Sequence, residues 1–144
     1  MPTPPTPRLR SPEPVVETPR CIAVVDDDSA ARTSLSRLLR AGGYRIVAFA
    51  SGNDFLESLN VYLPKCVLVD FSMPGLSGLD VVSKLRADRI EIPAIIITGT
   101  DDAELEAKSI DAGARALLRK PISEHRLFAA IESVLAGELI TQNG

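Results

Sequence analysis

The chain is short of the features that would tie it to a membrane, a nucleic acid or an oxidising compartment. It has no tryptophan, one histidine and two cysteines, and its 16 basic residues face 19 acidic ones, a formal net charge of −3. Sequence-independent nucleic-acid binding needs a basic footprint, and this balance speaks against it. No apolar stretch approaches the ~20 residues of a membrane span. The N-terminus lacks the apolar core of a signal peptide, so a cytoplasmic protein with no membrane partner is expected. Cys21 and Cys66 fall at or near the starts of two expected strands, with no histidine nearby. That is no zinc site, and two buried reduced thiols are expected rather than a disulfide.

What is present is an ordinary core-forming composition, 45% apolar over 144 residues, enough for one domain and a tail. Residues 1–20 form a separate zone with seven prolines and few apolar side chains. Such a segment cannot bury enough surface to offset its ordering entropy, so a flexible or polyproline-II-like extension is expected. From Cys21 the pattern alternates strand and helix. Strands are expected at 21–26, 45–49, 66–70 and 115–118, with a further one opened by Pro93, where a missing backbone donor is tolerated.

Between them, Asp28 or Ser29 caps a helix carrying Ala31, Leu35, Leu38 and Leu39, which Gly42-Gly43 ends. Ser51 with Asp54, and Ser77 with Asp80, read as capping boxes. A helix over about 102–112 rests on Leu105 and Ile110 alone. Ser123 caps a last helix striped by Leu127, Phe128, Ile131, Val134 and Leu135, and Gly137 stops it, leaving 138–144 to fray. Five such βα units imply a parallel sheet covered on both faces.

The polar residues that end the aliphatic runs carry the chemistry. Val24-Val25 leads into Asp26-Asp27-Asp28, Val67-Leu68-Val69 into Asp70, Ile95-Ile96-Ile97 into Thr98-Gly99, and Leu117-Leu118 almost at once into Lys120-Pro121. Carboxyl ends of parallel strands line the ligand crevice of an open α/β sheet. Asp26, Asp27 and Asp70 would crowd three carboxylates together, which is unfavourable unless a cation intervenes. Oxygen-only ligands favour Mg²⁺. Asp28 and Asp101-Asp102 are better read as helix caps. A carboxylate beside Mg²⁺ can attack phosphorus, while Lys120, Thr98 and the unshielded Gly99 amide can meet the charge on a phosphoryl group.

Asp26-Asp27, Asp70 with the following Ser72-Met73-Pro74-Gly75 and Ser77-Gly78, Thr98-Gly99 and Lys120-Pro121 together resemble the receiver domain of two-component response regulators. The resemblance spans about 21–137. It implies an α/β fold, a (βα)5 flavodoxin-like three-layer sandwich with strand order 2-1-3-4-5. It further implies that Asp70 accepts a phosphoryl group from a histidine kinase. Mg²⁺ would be held by Asp27, Asp70 and the Ser72 backbone carbonyl, with Asp26 acting through water. Lys120 would contact the phosphoryl oxygens across a cis Lys120–Pro121 bond, and Thr98 would move toward the new group.

The chain departs from the family at Leu117, where many members carry an aromatic that turns inward as part of the switch. Small hydroxyl residues at Ser72 and Thr100 imply little shielding of the phosphorylated form from water. His125 reads as a surface residue. Arg115, Arg119 and Arg126 read equally as a solvated face or as a docking surface, and a homodimer through the last helix is a further expectation. Three other functions compete: a phosphorylation-independent interaction domain, a phosphate sink, and an aspartate-based phosphatase. The phosphatase would want a second Asp two residues after Asp70, where Ser72 stands. The few residues after the last helix hold no output domain, which leaves open a single-domain regulator, a phosphate shuttle or a piece of a longer transcription factor. The last of these stays open because the Thr98-Gly99 neighbourhood resembles receivers that normally carry a DNA-binding domain.

Overall fold

Alternate side chains of a strand leave opposite faces, so an aliphatic run that is apolar at every position must be covered on both sides. The computed structural model, which describes residues 21–137, bears this out. Strands β1 (Cys21–Val25), β3 (Cys66–Asp70) and β4 (Ala94–Thr98) are buried along their whole length. With β2 (Arg45–Phe49) and β5 (Ala116–Arg119) they form one sheet in the order β2-β1-β3-β4-β5, every neighbouring pair parallel. The flavodoxin-like order implied by the resemblance is therefore the one observed. The expectations for 1–20 and 138–144 lie outside the described residues.

Five helices connect and cover the strands: α1 (Ser29–Ala41), α2 (Gly52–Ser58), α3 (Gly78–Ala87), α4 (Ala103–Ala112) and α5 (Glu124–Leu135). Two cores result. On one face Val25, Val69, Ile96 and Leu117 meet Phe55 of α2, Val81 and Leu85 of α3 and Leu105 of α4. On the other Val24, Leu68, Ile97 and Leu118 meet Leu39 of α1 and Leu127, Ile131 and Val134 of α5. Among the described residues the edge strand β2 is the only strand with most positions exposed, and it begins on Arg45. A charge on an edge strand helps blunt it against unwanted pairing.

The caps form where hydroxyls and carboxylates were expected. Asp28 accepts from the Ala30 and Ala31 amides, and Ser123 from the Arg126 amide at 3.0 Å. Ser77 and Asp80 complete a reciprocal capping box at 3.1 and 3.0 Å. Ser51 accepts from the Asp54 amide at 3.1 Å, but among the described residues no bond returns from the Asp54 carboxylate, so only half that box is made. Two strands differ by one residue from expectation, the first at its end and the fifth at both ends. The first strand stops at Val25, although the Asp26 N–H still donates to the Phe49 carbonyl at 3.1 Å. The fifth runs 116–119 because its ladder with β4 opens at Ile95 and Ala116 and closes at Thr98 and Arg119.

The larger correction concerns α4. Leu105 is buried as expected, but Ile110 is only partly covered, and Glu106 and Ser109 go inside instead. Leu105, Ser109 and Ala112 lie along one side at helical spacing. Small side chains there let the helix approach closely, and apolar size alone pointed to the wrong face.

Both cysteines are buried and free, as expected. Burial pushes the Cys66 thiol up to about 12. Gly78, at the start of α3, packs against the end of β3. A Cβ there would lie 2.7 Å from the Asp70 carbonyl oxygen. Two outcomes follow. Gly78→Ala destabilises the domain by about 1–3 kcal/mol, because backbone rather than a flexible side chain must give way; urea unfolding measures it. Cys66 resists alkylation in the native protein near pH 8, whereas both thiols react in denaturant; mass spectrometry of the alkylated chain counts them.

Candidate functional site

Each strand that contributes to the site turns polar at or just past its carboxyl end, so the polar groups gather above one edge of the sheet. Asp26 follows β1, Asp70 ends β3, Thr98 ends β4 and Lys120 follows β5. β1 and β3 are neighbours, which sets their acidic ends side by side. One carboxylate oxygen from each of Asp26, Asp27 and Asp70 lies within 4.8 Å of the other two. Asp26 and Asp70 are buried, at 6% and 7% exposure, while Asp27 is exposed to solvent.

The carboxylates are fixed from below. Asp26 Oδ1 accepts from the Asp28 amide at 3.0 Å, and Asp70 Oδ2 accepts from the Ser72 amide at 3.1 Å. Across the crevice the Lys120 Nζ lies 2.8 Å from Asp70 Oδ1. The bond to Asp70 holds the Lys120 ammonium above the ordinary lysine value, although partial burial pulls the other way. Asp26 moves in the unfavourable direction for an anion. Burial raises its pKa most, the neighbouring Asp70 charge raises it further, and the Asp28 amide and Lys120 offset only part. A carboxylate cluster with too little positive charge is a site that gains from a divalent cation.

The β4 and β5 side supplies the remaining groups. Thr98 is 2% exposed and its Oγ1 accepts from the Thr100 amide at 3.1 Å. The Lys120 amide donates to the Thr98 carbonyl at 2.8 Å, tying the two strand ends together, and the Lys120–Pro121 peptide is cis. A Cβ built on Gly99 would meet nothing within 4 Å, so no protein atom demands glycine there and the space above its backbone is open. Leu117, three residues before Lys120, is 1% exposed and packs in the same core as Leu105 of α4.

The structure thus brings Asp26, Asp27, Asp70, Ser72, Thr98, Gly99 and Lys120 to one edge, with Leu117 inside the core beneath. It does not bring the three arginines together. Arg115 precedes β5 at the opposite edge, Arg119 ends β5 and pairs with Asp101 at 3.2 Å, and Arg126 is exposed on α5. His125 is exposed, as expected. The role of Gly78 as the floor under Asp70 is not legible in the residues. Only the close approach of two backbones explains it, and composition carries no signal for that.

Among the described residues no helix is long and apolar enough to cross a membrane. The family model of the response regulator receiver domain matches residues 22–132. The transcriptional regulatory protein FixJ of Bradyrhizobium diazoefficiens is 37% identical over 114 residues, 79% of this chain and 56% of the relative. The response regulator protein TmoT of Ectopseudomonas mendocina is 40% identical over 114 residues, 79% of this chain and 52% of that one. Among solved structures, full-length FixJ from B. japonicum superposes with a TM-score of 0.77 at 36% identity, covering 83% of this chain and 59% of that one. A CheY-like receiver domain protein from Methanospirillum hungatei gives a TM-score of 0.77 at 27% identity, over 83% and 96% of the two chains. The chain spans about half the length of the curated relatives it matches. Over its described residues it belongs to the response regulator receiver domain family, the signalling domain of two-component phosphorelays.

Proposed function

We propose that Asp70 accepts a phosphoryl group from the phosphohistidine of a histidine kinase, with Mg²⁺ held by Asp27, Asp70 and the Ser72 carbonyl, and Asp26 acting through water. The observation that carries this reading is the Lys120–Asp70 pair at 2.8 Å inside a pocket of three carboxylates. The donor set fits the cation: oxygen ligands only, one exposed and two buried, with Asp26 destabilised as an anion without it. When bound, the cation supplies positive charge to the crowded carboxylates and to the oxygens of the incoming phosphoryl group.

The chain's own groups do the rest. An Asp70 carboxylate oxygen forms a bond to phosphorus as the phosphorus–nitrogen bond of the donor breaks. The electron pair stays on the imidazole nitrogen, which takes up a proton. The Ser72 amide, now on Asp70 Oδ2, holds the carboxylate in its attacking orientation. Lys120 follows the charge from Asp70 Oδ1 to a phosphoryl oxygen. The Thr98 hydroxyl turns from its Thr100 contact to another of those oxygens, and the open Gly99 amide meets a third. A population shift between two arrangements of the β4–α4 and β5 region is the output of such a domain. Leu117 makes the position beneath Thr98 a packed aliphatic rather than a swinging ring. A cytoplasmic setting and a homodimer along α5 belong to the same reading, and sedimentation of the phosphorylated chain tests the dimer. Residues 1–20 are proposed as a tail to a receiver unit spanning 21–137.

The decisive experiment is intact-mass measurement after incubation with acetyl phosphate, with and without Mg²⁺, beside Asp70→Asn. A Mg²⁺-dependent gain of one phosphoryl group that Asp70→Asn abolishes is expected. No gain, with transfer from a cognate kinase also absent, overturns the reading in favour of a phosphorylation-independent interaction domain.

Metal linkage gives a second outcome. Mg²⁺ at a hundredfold excess over its dissociation constant stabilises the folded chain by about 2.7 kcal/mol. Asp27→Ala removes that rise in thermal midpoint. In EDTA the sign for Asp26 reverses. Its folded pKa lies above the unfolded 3.8, so its cost is absent below pH 3.8, grows as pH rises to the folded value, and stays constant above. Metal-free Asp26→Asn is therefore more stable than wild type at pH 7, and urea titrations across pH 4–7 read the difference.

A further inference from the structure

The opposite edge of the sheet, where β4 and β5 begin, holds a second concavity that the phosphoacceptor chemistry does not use. It has a volume of about 500 Å³ and draws residues from α3, the α3–β4 connection, β4 and the turn between α4 and β5. One wall is aliphatic, built from Val82, Leu85, Ile90, Ile92 and Pro93. Around it stand three guanidinium groups, Arg86, Arg89 and Arg115, against a single lining carboxylate, Glu91. Arg86 is anchored, donating to the Asp111 carbonyl. Among the described residues no hydrogen bond or ion pair engages the side chain of Arg89 or Arg115. The Arg115 amide donates to the Ala94 carbonyl at 2.9 Å, which fixes its backbone at the cavity mouth.

Arg89 is held in a conformation that arginine does not favour. Its φ is 58°, the one non-glycine residue with positive φ among those described. It ends α3 in a Schellman turn: the Ile90 amide donates to the Leu85 carbonyl at 2.9 Å and the Arg89 amide to the Arg86 carbonyl at 3.1 Å. Glycine is the usual occupant there because a Cβ costs energy in the left-handed region. What arginine adds at that strained position is a guanidinium over the cavity. Strained residues gather at ligand clamps more than elsewhere. A second arginine-lined hollow, along α1 at Arg32, Arg37 and Arg40, comes from one helix face with only Ala48 as apolar wall.

We propose that the α3–β4 cavity binds a small phosphorylated metabolite of the nucleoside diphosphate class. Planar guanidinium forks pair with phosphate oxygens in a bidentate fashion, and Arg89 and Arg115 are free to do so. The aliphatic wall offers a surface for a ring, and the volume falls within the range of small-ligand sites. The cavity lies a full strand length, roughly 16 Å, from the carboxylate pocket. Its lining shares no residue with the phosphoacceptor site.

Two-dimensional amide NMR of the full chain, titrated in EDTA with ADP, GDP and inorganic pyrophosphate, tests this. EDTA removes the cation that would let phosphates collect at Asp27 and Asp70. Saturable shifts are expected at the Arg89, Ile90, Gly113 and Arg115 amides, with pyrophosphate bound at least about tenfold more weakly than the nucleotides. The double variant Arg89→Gly/Arg115→Gln keeps a residue suited to the left-handed turn. It folds with an unchanged or higher thermal midpoint, and nucleotide affinity drops by about tenfold or more. Three results overturn the proposal: no saturation at those amides, shifts confined to the Asp70 edge, or nucleotide shifts unaltered in the double variant. Pyrophosphate binding as tightly as ADP overturns the nucleotide class.

Discussion

Three carboxylates and one ammonium share a single crevice, and most of the molecule follows from keeping them there. Asp26 and Asp70 are buried next to each other, an arrangement that like-charge repulsion and desolvation both oppose. It survives because each carboxylate accepts a backbone amide and because Lys120 reaches Asp70 from two strands away. The order β2-β1-β3-β4-β5 makes this possible. It places β1 beside β3, so the acidic ends adjoin, and sets β5 close enough for a lysine stem to span β4.

The scaffold beneath is rigid for a simple reason. β1, β3 and β4 are buried along their length on both faces, so a shift of one residue would exchange the two cores. Val25 and Val69 face the α2–α3–α4 side while Val24 and Leu68 face α1 and α5. Neither set can move without exposing the other. The strand ends therefore occupy fixed heights, and the charged groups on them inherit that precision.

Much of this was legible in the residues. Aliphatic runs marked the strands, hydroxyl and carboxylate caps marked the helices, and the polar groups that ended the runs marked the site. Strand order was not legible from periodicity; it came with the resemblance, because parallel neighbours leave no local trace in a chain. α4 misled because hydropathy ranks Ile110 above Ser109, whereas a close helix approach selects small residues. The spacing of the three arginines likewise carried no sign of where they stand in space. Arg115 and Arg119 are four apart, which on a strand puts them at opposite edges of the sheet. Gly78 shows the same limit: its need is set by the Asp70 carbonyl, a contact between backbones.

The uneven anchoring of the helices bears on how a change at Asp70 could travel. α3 buries Val81, Val82 and Leu85, and α5 buries Leu127, Ala130, Ile131 and Val134. α4 contributes Leu105 and the partly covered Ala112 to its core, and buries Ser109 with no partner for its hydroxyl among the described residues. Each buried aliphatic is worth on the order of 1.5–3 kcal/mol, and an unpaired buried hydroxyl subtracts from that. Displacing α4 therefore costs less than displacing α3 or α5. α4 also follows directly from Thr98 through the loop whose Asp101 pairs with Arg119 at the end of β5. A pull on the Thr98 hydroxyl would thus be applied next to a helix that resists it less than α3 or α5 does.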